Sequence, residues 1–188
     1  MSLEVRPEEI QGLLFIRMNF FRDERGFFVR NFCSDIVEDL GGESRVLQAN
    51  LSFNVNQGTI RGFHFQNGGH EEAKTITVIS GKLHYKVIDL RRNSPTYLKY
   101  TSFELNELEN VVQVPRGCAP AFQTLEPNCL LHYYVSTRYS PEYEFGIRYD
   151  DPYFNMNWPR DVSTISKRDS SFEDFVPTSF EGLLGTLK

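Results

Sequence analysis

The 188-residue chain lacks several features that mark common protein classes. Its three cysteines, Cys33, Cys118 and Cys129, are an odd number without a CxxC spacing, which fits a reducing compartment better than a disulfide framework. No apolar run reaches the roughly 18 residues that a membrane span requires. The N-terminal residues 1–4 have neither the basic nor the apolar region of a signal peptide. We therefore expect a cytoplasmic protein without a membrane partner.

Excess positive charge and metal-ligand spacings are also missing. The formal net charge is −5, which argues against nucleic acid as the main partner. The four histidines form no HxH or HExxH pair, so no metal site is expected. Any anionic ligand must be bound by individually placed arginines.

Aromatic residues and short apolar runs are plentiful, and both favour β-sheet. Several runs alternate with period two; Ile76 and Val78, for example, share one face of a strand. Helix signals are confined to 34–40, before two glycines, and to a last turn or two at 169–175. We find no linker or repeat, so residues 1–188 are expected to form one all-β domain, a sandwich or barrel of jelly-roll type with a few short helices. The predicted strands include 13–18, 27–32, 75–79, 83–90, 97–105, 111–114 and 130–136.

The segment Arg61-Gly62-Phe63-His64-Phe65-Gln66, followed by Lys74, carries the clearest chemical signal. A base flanked by two cations suits removal of a proton beside a carbonyl, because the cations can hold the resulting enolate. Strict alternation would point Arg61 away from His64, unless Gly62 introduces a bulge or a close backbone approach. The alternative interpretation, a strand histidine with incidental surface charges, is equally consistent with this segment alone.

A collinear series of motifs extends over about 150 residues and resembles the dTDP-4-dehydrorhamnose 3,5-epimerase family. This resemblance implies a cupin-like jelly roll that acts on nucleotide-linked 4-keto-6-deoxy sugars. The motifs include 21–28, 48–52, 61–66, Lys74, 89–91, 94–96, 114–117, Tyr133, 139–142, 151–152, 158–159 and 166–169.

The resemblance also assigns catalytic roles. His64 matches the family's base, and Asp169 matches the carboxylate that orients the imidazole. Lys74 matches the cation near the ketone oxygen, and Tyr133 matches the acid that returns a proton to the opposite face. No cofactor is implied, because the ketone itself acidifies the neighbouring C–H bond.

The resemblance to the family also implies which residues bind the substrate and how the subunits assemble. The family resemblance predicts a homodimer, in which the apolar segment 13–16 would suit an exchanged or interface strand. Arginine suits phosphate oxygens because its planar fork can donate two hydrogen bonds. The positions that match substrate-binding residues of the family are Arg25, Phe28, Gln48, Asn50, Arg61, Tyr139 and Arg168.

Three positions depart from the family pattern. Pro120 stands where a histidine is usual, Tyr85 where an aspartate is common, and Arg30 where a glutamate is expected. Proline can neither titrate nor donate a hydrogen bond, so a second polar pair of the pocket would be missing. We therefore expect epimerisation at C3, at C5 or at both, and a single-centre epimerase on a related nucleotide sugar is a close alternative.

Two further function classes compete with the epimerase. One is a non-catalytic protein that binds nucleotide sugars, which would have no need of the quartet His64, Asp169, Lys74 and Tyr133. The other is a metal-dependent cupin, whose ligand spacings are missing from the sequence. The nucleotide is expected to be dTDP, and the product to enter deoxysugar synthesis for a surface polysaccharide or natural product.

Overall fold

Short strands with alternating burial form two antiparallel sheets that pack face to face. The computed structural model describes the backbone of residues 2–4 and, in full, residues 10–183. The larger sheet has six strands, in the order β1 (Ser2–Glu4), β2 (Leu14–Arg17), β11 (Asn110–Val114), β8 (Lys74–Ser80), β13 (Cys129–Val135) and β5 (Gln48–Asn54). The smaller sheet has four strands, in the order β10 (Tyr100–Asn106), β9 (Lys82–Asp89), β12 (Cys118–Thr124) and β6 (Ile60–Arg61).

Two strand pairs and one helix complete the regular structure of the described residues. β7 (His64–Gln66) pairs with β14 (Glu144–Gly146), which follows a single 3₁₀ turn. β3 (Phe20–Asp23) and β4 (Gly26–Val29) form a separate hairpin. The helix α1 (Ser34–Asp39) buries Val37.

The main core lies between the two sheets. Phe15 of β2 meets Phe103 of β10 edge to face, with ring centroids 4.7 Å apart. Ile76 and Val78 of β8 are buried in the same cluster, as their shared strand face predicts. The described residues thus confirm an all-β, cupin-like jelly-roll architecture with few helical segments.

Most sequence-predicted elements are confirmed, with shifted ends. The helix predicted at 34–40 forms, and each predicted strand overlaps an observed one. The run at 97–105 becomes a strand only from Tyr100, because a turn closes between Ser94 and Tyr97. The strands β5 and β12 were missing from the predicted runs; β12 contains Pro120, and proline is rare inside strands.

The helical turn predicted at 169–175 is wrong. The chain instead makes a hydrogen-bonded turn at 167–170, where the Ser170 N–H donates to the Ser166 carbonyl at 3.1 Å. The physical reason is that the side chain of Asp169 is turned inward and accepts hydrogen bonds from two other parts of the chain. None of the helices in the described segments is long and apolar enough to cross a membrane.

Gly62 allows a close backbone crossing between β6 and β7. Its φ is +107°, and a Cβ atom at this position would lie 2.6 Å from the carbonyl oxygen of Pro120. The interruption in the strand resets the alternation, so Arg61 and His64 line the same cavity. The expectation of a close backbone approach at Gly62 is therefore confirmed.

Replacing Gly62 should be costly for two separate reasons. Gly62→Ala combines an unfavourable φ with a clash against backbone, so we expect a loss of about 1–3 kcal/mol or more in the free energy of unfolding. Gly69→Ala is a matched control, because its φ is +86° and a Cβ atom there would have nothing within 4 Å. Urea denaturation of both variants measures the difference. Equal destabilisation would show that the crossing at Pro120 imposes no steric requirement.

Candidate active site

The inner face of the six-stranded sheet aligns four predicted site residues. Tyr133 of β13 is paired with Asn50 of β5 on one side and with Ile76 of β8 on the other. Val135, two residues further along, is paired with Gln48 and Lys74. Because side chains two residues apart share a face, Lys74, Tyr133, Gln48 and Asn50 all project to the same side as buried Ile76.

His64 is held from the opposite side by a buried carboxylate. Its Nε2 lies 2.9 Å from Oδ1 of Asp169, and Oδ2 of Asp169 accepts the Gly62 N–H at 3.1 Å. A carboxylate accepts, so Nε2 carries the proton in the neutral imidazole and Nδ1 keeps the lone pair. No hydrogen bond to Nδ1 is formed by any residue in the described part of the chain. This nitrogen is therefore free to act as a base.

The environment keeps Asp169 ionised. Burial alone would raise the pKa of this carboxyl, which is only 4% exposed. The hydrogen bond and charge of His64, together with donors from Gly62 and Ser166, outweigh burial and lower the pKa below its ordinary value. An ionised Asp169 stabilises the imidazolium that forms when His64 accepts a proton.

Two adjoining cavities share the predicted catalytic residues. An inner cavity of about 350 Å³ lies between the sheets, and an outer cavity of about 330 Å³ lies beside it. His64, Lys74 and Tyr133 line both. A ligand that spans the two cavities would therefore pass across all three side chains.

Apolar side chains form part of the inner cavity's wall. Ile76 and Leu131 line it from the six-stranded sheet, and Ala121 and Phe122 line it from the four-stranded sheet. Two positions that depart from the family pattern, Tyr85 and Pro120, lie in the same wall. Apolar groups beside the charged side chains lower the local dielectric constant and so strengthen the electrostatic interactions there.

Lys74 places a cation beside the base. Its Nζ lies 3.1 Å from Oε1 of Glu72 and 3.5 Å from the backbone carbonyl of His64. Oε2 of Glu72 in turn accepts a hydrogen bond from Gln66 at 3.3 Å. The ammonium group is thus tethered at the junction of the two cavities.

Polar and aromatic side chains surround the outer cavity. The Tyr139 hydroxyl donates to Glu144 at 2.5 Å, and Arg168 forms an ion pair with the same carboxylate at 2.7 Å. Gln48 accepts the backbone N–H of Tyr139 at 2.7 Å, and Asn50 also lines the cavity. These contacts bring four of the predicted binding residues, Gln48, Asn50, Tyr139 and Arg168, to one region.

The remaining predicted binding residues occupy different places. Arg61 lines the inner cavity together with Phe122, its partner in the neighbouring strand. Its side chain donates a hydrogen bond to Asn54 at 2.7 Å. Arg25 and Phe28 lie on the β3–β4 hairpin and line none of the cavities found in the described residues. Arg25 pairs locally with Asp23, and Phe28 is 61% exposed. Their binding roles stay predictions.

The sequence interpretation missed two acidic residues of the site. Glu72 could have been found, because it lies two residues before Lys74 and an extended chain would place both on one side. Glu144 gives no local signal, since its partners Tyr139 and Arg168 are brought to it only by the fold. Within residues 10–183, no group of three or more His, Cys, Asp or Glu side chains is placed to hold a metal ion.

A jelly-roll fold with a histidine–carboxylate pair, a lysine and a tyrosine around one cavity defines the class of acid–base sites. A sequence profile of the dTDP-4-dehydrorhamnose 3,5-epimerase family matches residues 7–176. The chain belongs to this family, which confirms the predicted family, the isomerase class and the general function of its members in deoxysugar biosynthesis.

Three individual proteins illustrate the similarity. The dTDP-4-dehydrorhamnose 3,5-epimerase of Methanothermobacter thermautotrophicus is 34% identical over 87% of this chain and 90% of its own length. A dTDP-4-dehydrorhamnose 3-epimerase of Streptomyces niveus is 31% identical over 98% of this chain and 89% of its own. The crystal structure of the Bacillus anthracis 3,5-epimerase, with TDP and PPi bound, superposes with a TM-score of 0.87, covering 93% of this chain and 100% of the other at 28% identity.

The lowered pKa of Asp169 predicts a defined pH dependence of stability. Its ionised form contributes stability above the ordinary carboxyl value of 3.8, and this contribution is lost as the pH falls through the lower folded value. Asp169→Asn should therefore cost about 1.5–3 kcal/mol at neutral pH, and the difference from wild type should shrink below about pH 4. Urea denaturation across this pH range provides the measurement.

The exposed Asp161 offers a control for this pH series. Asp161→Asn removes a carboxylate that has no side-chain hydrogen bond or ion pair within the described ranges, so its stability curve should run parallel to wild type. A gap between Asp169→Asn and wild type that is constant down to pH 3 would contradict the assignment of Asp169 as a buried, ionised partner.

Proposed function

We propose that this protein epimerises a nucleotide-linked 4-keto-6-deoxyhexose, with His64 as the base. The observation that carries the proposal is the His64–Asp169 pair, which opens onto the same cavities as Lys74 and Tyr133. A histidine oriented by a buried carboxylate, a cation and a phenol are the three groups that proton removal and return beside a ketone require.

The reaction proceeds through an enolate. Nδ1 of His64 takes the proton from the carbon beside the C4 ketone, and the electron pair of the broken C–H bond forms the enolate. The ammonium of Lys74 stabilises the negative oxygen. Tyr133 then gives its hydroxyl proton to the same carbon from the other face. The proton on His64 passes to solvent and Tyr133 is reprotonated, so the net change is one inverted centre.

Lys74 and His64 act as a coupled pair in this scheme. The contact of 3.5 Å between the Lys74 Nζ and the His64 carbonyl keeps the cation close to the base. Glu72 holds the ammonium from the other side at 3.1 Å, which reduces the freedom of a long side chain. A pre-positioned cation stabilises developing charge without reorganising during the reaction.

The nucleotide occupies the outer cavity. Arg168 brings a guanidinium to the edge of this cavity through its ion pair with Glu144, and Tyr139, which is 51% exposed, supplies an aromatic surface. Gln48 and Asn50 supply amide groups from β5. A bound TDP in the Bacillus anthracis relative supports dTDP as the nucleotide. Arg61 faces the inner cavity and would reach the sugar or the first phosphate.

The functional unit is a homodimer that joins through the β3–β4 hairpin. Phe21, Phe27 and Phe28 are 68%, 50% and 61% exposed in the single chain, a concentration of apolar surface that favours a protein partner. In such a dimer, Arg25 and Phe28 would reach the nucleotide bound to the partner subunit. They could then bind substrate as predicted, although they line neither the inner nor the outer cavity of their own chain. A cytoplasmic location accords with an acidic, nucleotide-sugar-processing chain.

Inversion of a single centre is the second candidate. Tyr85 and Pro120 line the inner cavity where the family pattern has an acidic residue and a histidine, so the polar groups for a second proton transfer are reduced. The Streptomyces niveus relative is named as a 3-epimerase, which shows that one-centre members occur among similar sequences.

Deuterium exchange tests the proposed reaction. Incubation with dTDP-4-keto-6-deoxyglucose in D₂O, followed by proton NMR and mass spectrometry, should show one deuterium for a single-centre enzyme and two for a 3,5-epimerase. His64→Asn should slow the exchange by roughly 10²–10⁴-fold because the general base is lost.

A second histidine provides the matched control for the exchange experiment. His70 stacks on Tyr143 with ring centroids 3.9 Å apart and lines neither cavity, so His70→Asn should leave exchange unchanged. A wild-type protein that binds the nucleotide sugar but catalyses no deuterium exchange would contradict the proposed epimerase activity. This result would favour the alternative that the protein binds nucleotide sugars without catalysis.

The dimer makes a separate prediction. Light scattering should give a mass near twice 21.8 kDa, and Phe28→Asp should shift it towards the monomer. Val176→Asp, at a similarly exposed apolar position outside the hairpin, should leave the mass unchanged. Arg25→Ala should weaken dTDP binding by roughly tenfold through the loss of a charge-assisted hydrogen bond. A monomeric wild-type protein with full dTDP affinity would refute this arrangement.

A further inference from the structure

One hydroxyl group of the inner cavity is not used by the proposed mechanism. Tyr85 of β9 lines the cavity but is only 3% exposed. Its hydroxyl makes no hydrogen bond to any residue among 2–4 and 10–183. Among the described residues, the side-chain polar atoms that are both fully buried and unpaired are His84 Nε2 and Asn110 Oδ1. The Tyr85 hydroxyl is not one of them, so it faces the open space of the cavity. The unpaired hydroxyl is therefore an open hydrogen-bonding position of the site.

The ring of Tyr85 is fixed between two other aromatic rings. Phe103 lies on one side, with centroids 5.6 Å apart and an interplanar angle of 28°. Phe122 stacks almost parallel to it, at 6.4 Å and 9°. Because this packing holds the ring plane, the hydroxyl group cannot swing out of the cavity to find a partner elsewhere.

The surroundings keep the Tyr85 hydroxyl neutral. Burial and, secondarily, the negative charge of an ionised Tyr133 both raise its pKa far above the ordinary value of 10.0. The two phenols therefore influence each other across the cavity, Tyr85 from the four-stranded sheet and Tyr133 from the six-stranded sheet. A phenol that does not ionise remains a hydrogen-bond donor at every working pH.

Pro120 makes the wall around Tyr85 selective. Tyr85 is paired with Phe122, and the neighbouring pair on the same face is Val87 with Pro120. Pro120 is therefore a diagonal neighbour of Tyr85. Among the residues that β9 and β12 contribute to the cavity, namely Tyr85, Pro120, Ala121 and Phe122, only Tyr85 has a polar side-chain group. The part of the wall that β9 and β12 form therefore offers one donor in an apolar surface, while Arg61 of β6 lines the cavity from the same sheet and donates to Asn54.

We infer that Tyr85 is a specificity-determining residue whose hydroxyl donates a hydrogen bond to one oxygen substituent of the substrate's hexose ring. Pro120 and Phe122 pack against neighbouring ring carbons, whose faces towards this sheet carry no polar group. The inference rests on the proposed function for the identity of the ligand. It favours nucleotide sugars that present an oxygen substituent to the Tyr85 hydroxyl over those that lack an oxygen at that ring position.

Binding of a nucleotide sugar that cannot react tests this inference apart from the chemistry. Calorimetric titration with dTDP-glucose, which has no ketone, compares wild type with Tyr85→Phe, and titration with dTDP alone provides the reference. The variant should bind dTDP-glucose about 3- to 10-fold more weakly, the range expected for one lost hydrogen bond. Its affinity for dTDP should be unchanged, because the nucleotide occupies the other cavity.

The control is a tyrosine outside the cavities. Tyr100 of β10 is 40% exposed and lines neither the inner nor the outer cavity, so Tyr100→Phe should change neither affinity. The deoxy analogues of dTDP-glucose identify the accepting oxygen: the analogue that lacks it should bind wild type and Tyr85→Phe equally.

Two outcomes would overturn the inference. One is a wild-type protein that binds dTDP-glucose no better than Tyr85→Phe does. The other is an equal loss of affinity for dTDP-glucose and dTDP, which would show a general disturbance of the fold. Absence of deuterium exchange in the wild type would refute the proposed reaction but leave the binding difference in place, so the two failures are distinguishable.

Discussion

The hydrogen bond between His64 and Asp169 is the interaction on which the site depends. It joins residues 105 positions apart and anchors the chain beyond β14 to the crossing between β6 and β7. The same carboxylate accepts the Gly62 N–H, so one side chain both closes the fold at this point and sets the proton position on the imidazole. A change at Asp169 should therefore affect both the stability of the fold and the protonation of His64.

The cavity beside this pair combines apolar wall residues with a few charged and polar side chains. The sheet faces that build the core also line the inner cavity, and Ile76 belongs to both. The charged side chains around the cavities include two compact pairs, Lys74 with Glu72 and Arg168 with Glu144, and Arg61, which donates to Asn54. A few positioned charges within an apolar wall can discriminate an enolate from a ketone, because they act on developing charge in a medium of low dielectric constant.

Much of the fold could be predicted because its signals are local. Strands are indicated by apolar residues that alternate with period two and by glycines and prolines that mark the turns between them. The observed strands overlap the runs predicted in this way. The strict alternation failed at Arg61, since the chain breaks its strand at Gly62 and brings Arg61 to the same cavity as His64. The turn at 167–170 replaced a helical turn because Asp169 is held by distant partners.

The candidate site was predictable only in part for the same reason. His64 and Lys74 are close in sequence, whereas the partnership of Asp169 with His64 could be expected only through a family resemblance. Glu144 and the stacking of Tyr85 between Phe103 and Phe122 come from long-range packing, which no local pattern encodes. The sequence shows that Pro120 departs from the family pattern. That Pro120 lies diagonal to Tyr85 becomes known only from the register between β9 and β12.

The most direct test of the account is the tautomer of His64. Two-dimensional ¹H–¹⁵N NMR of the neutral histidine rings distinguishes a protonated Nε2 from a protonated Nδ1. The account predicts a proton on Nε2 and a lone pair on Nδ1 in the wild type, with this preference weakened in Asp169→Asn. A neutral His64 that carries its proton on Nδ1 in the wild type would contradict the assignment of His64 as a base held by Asp169.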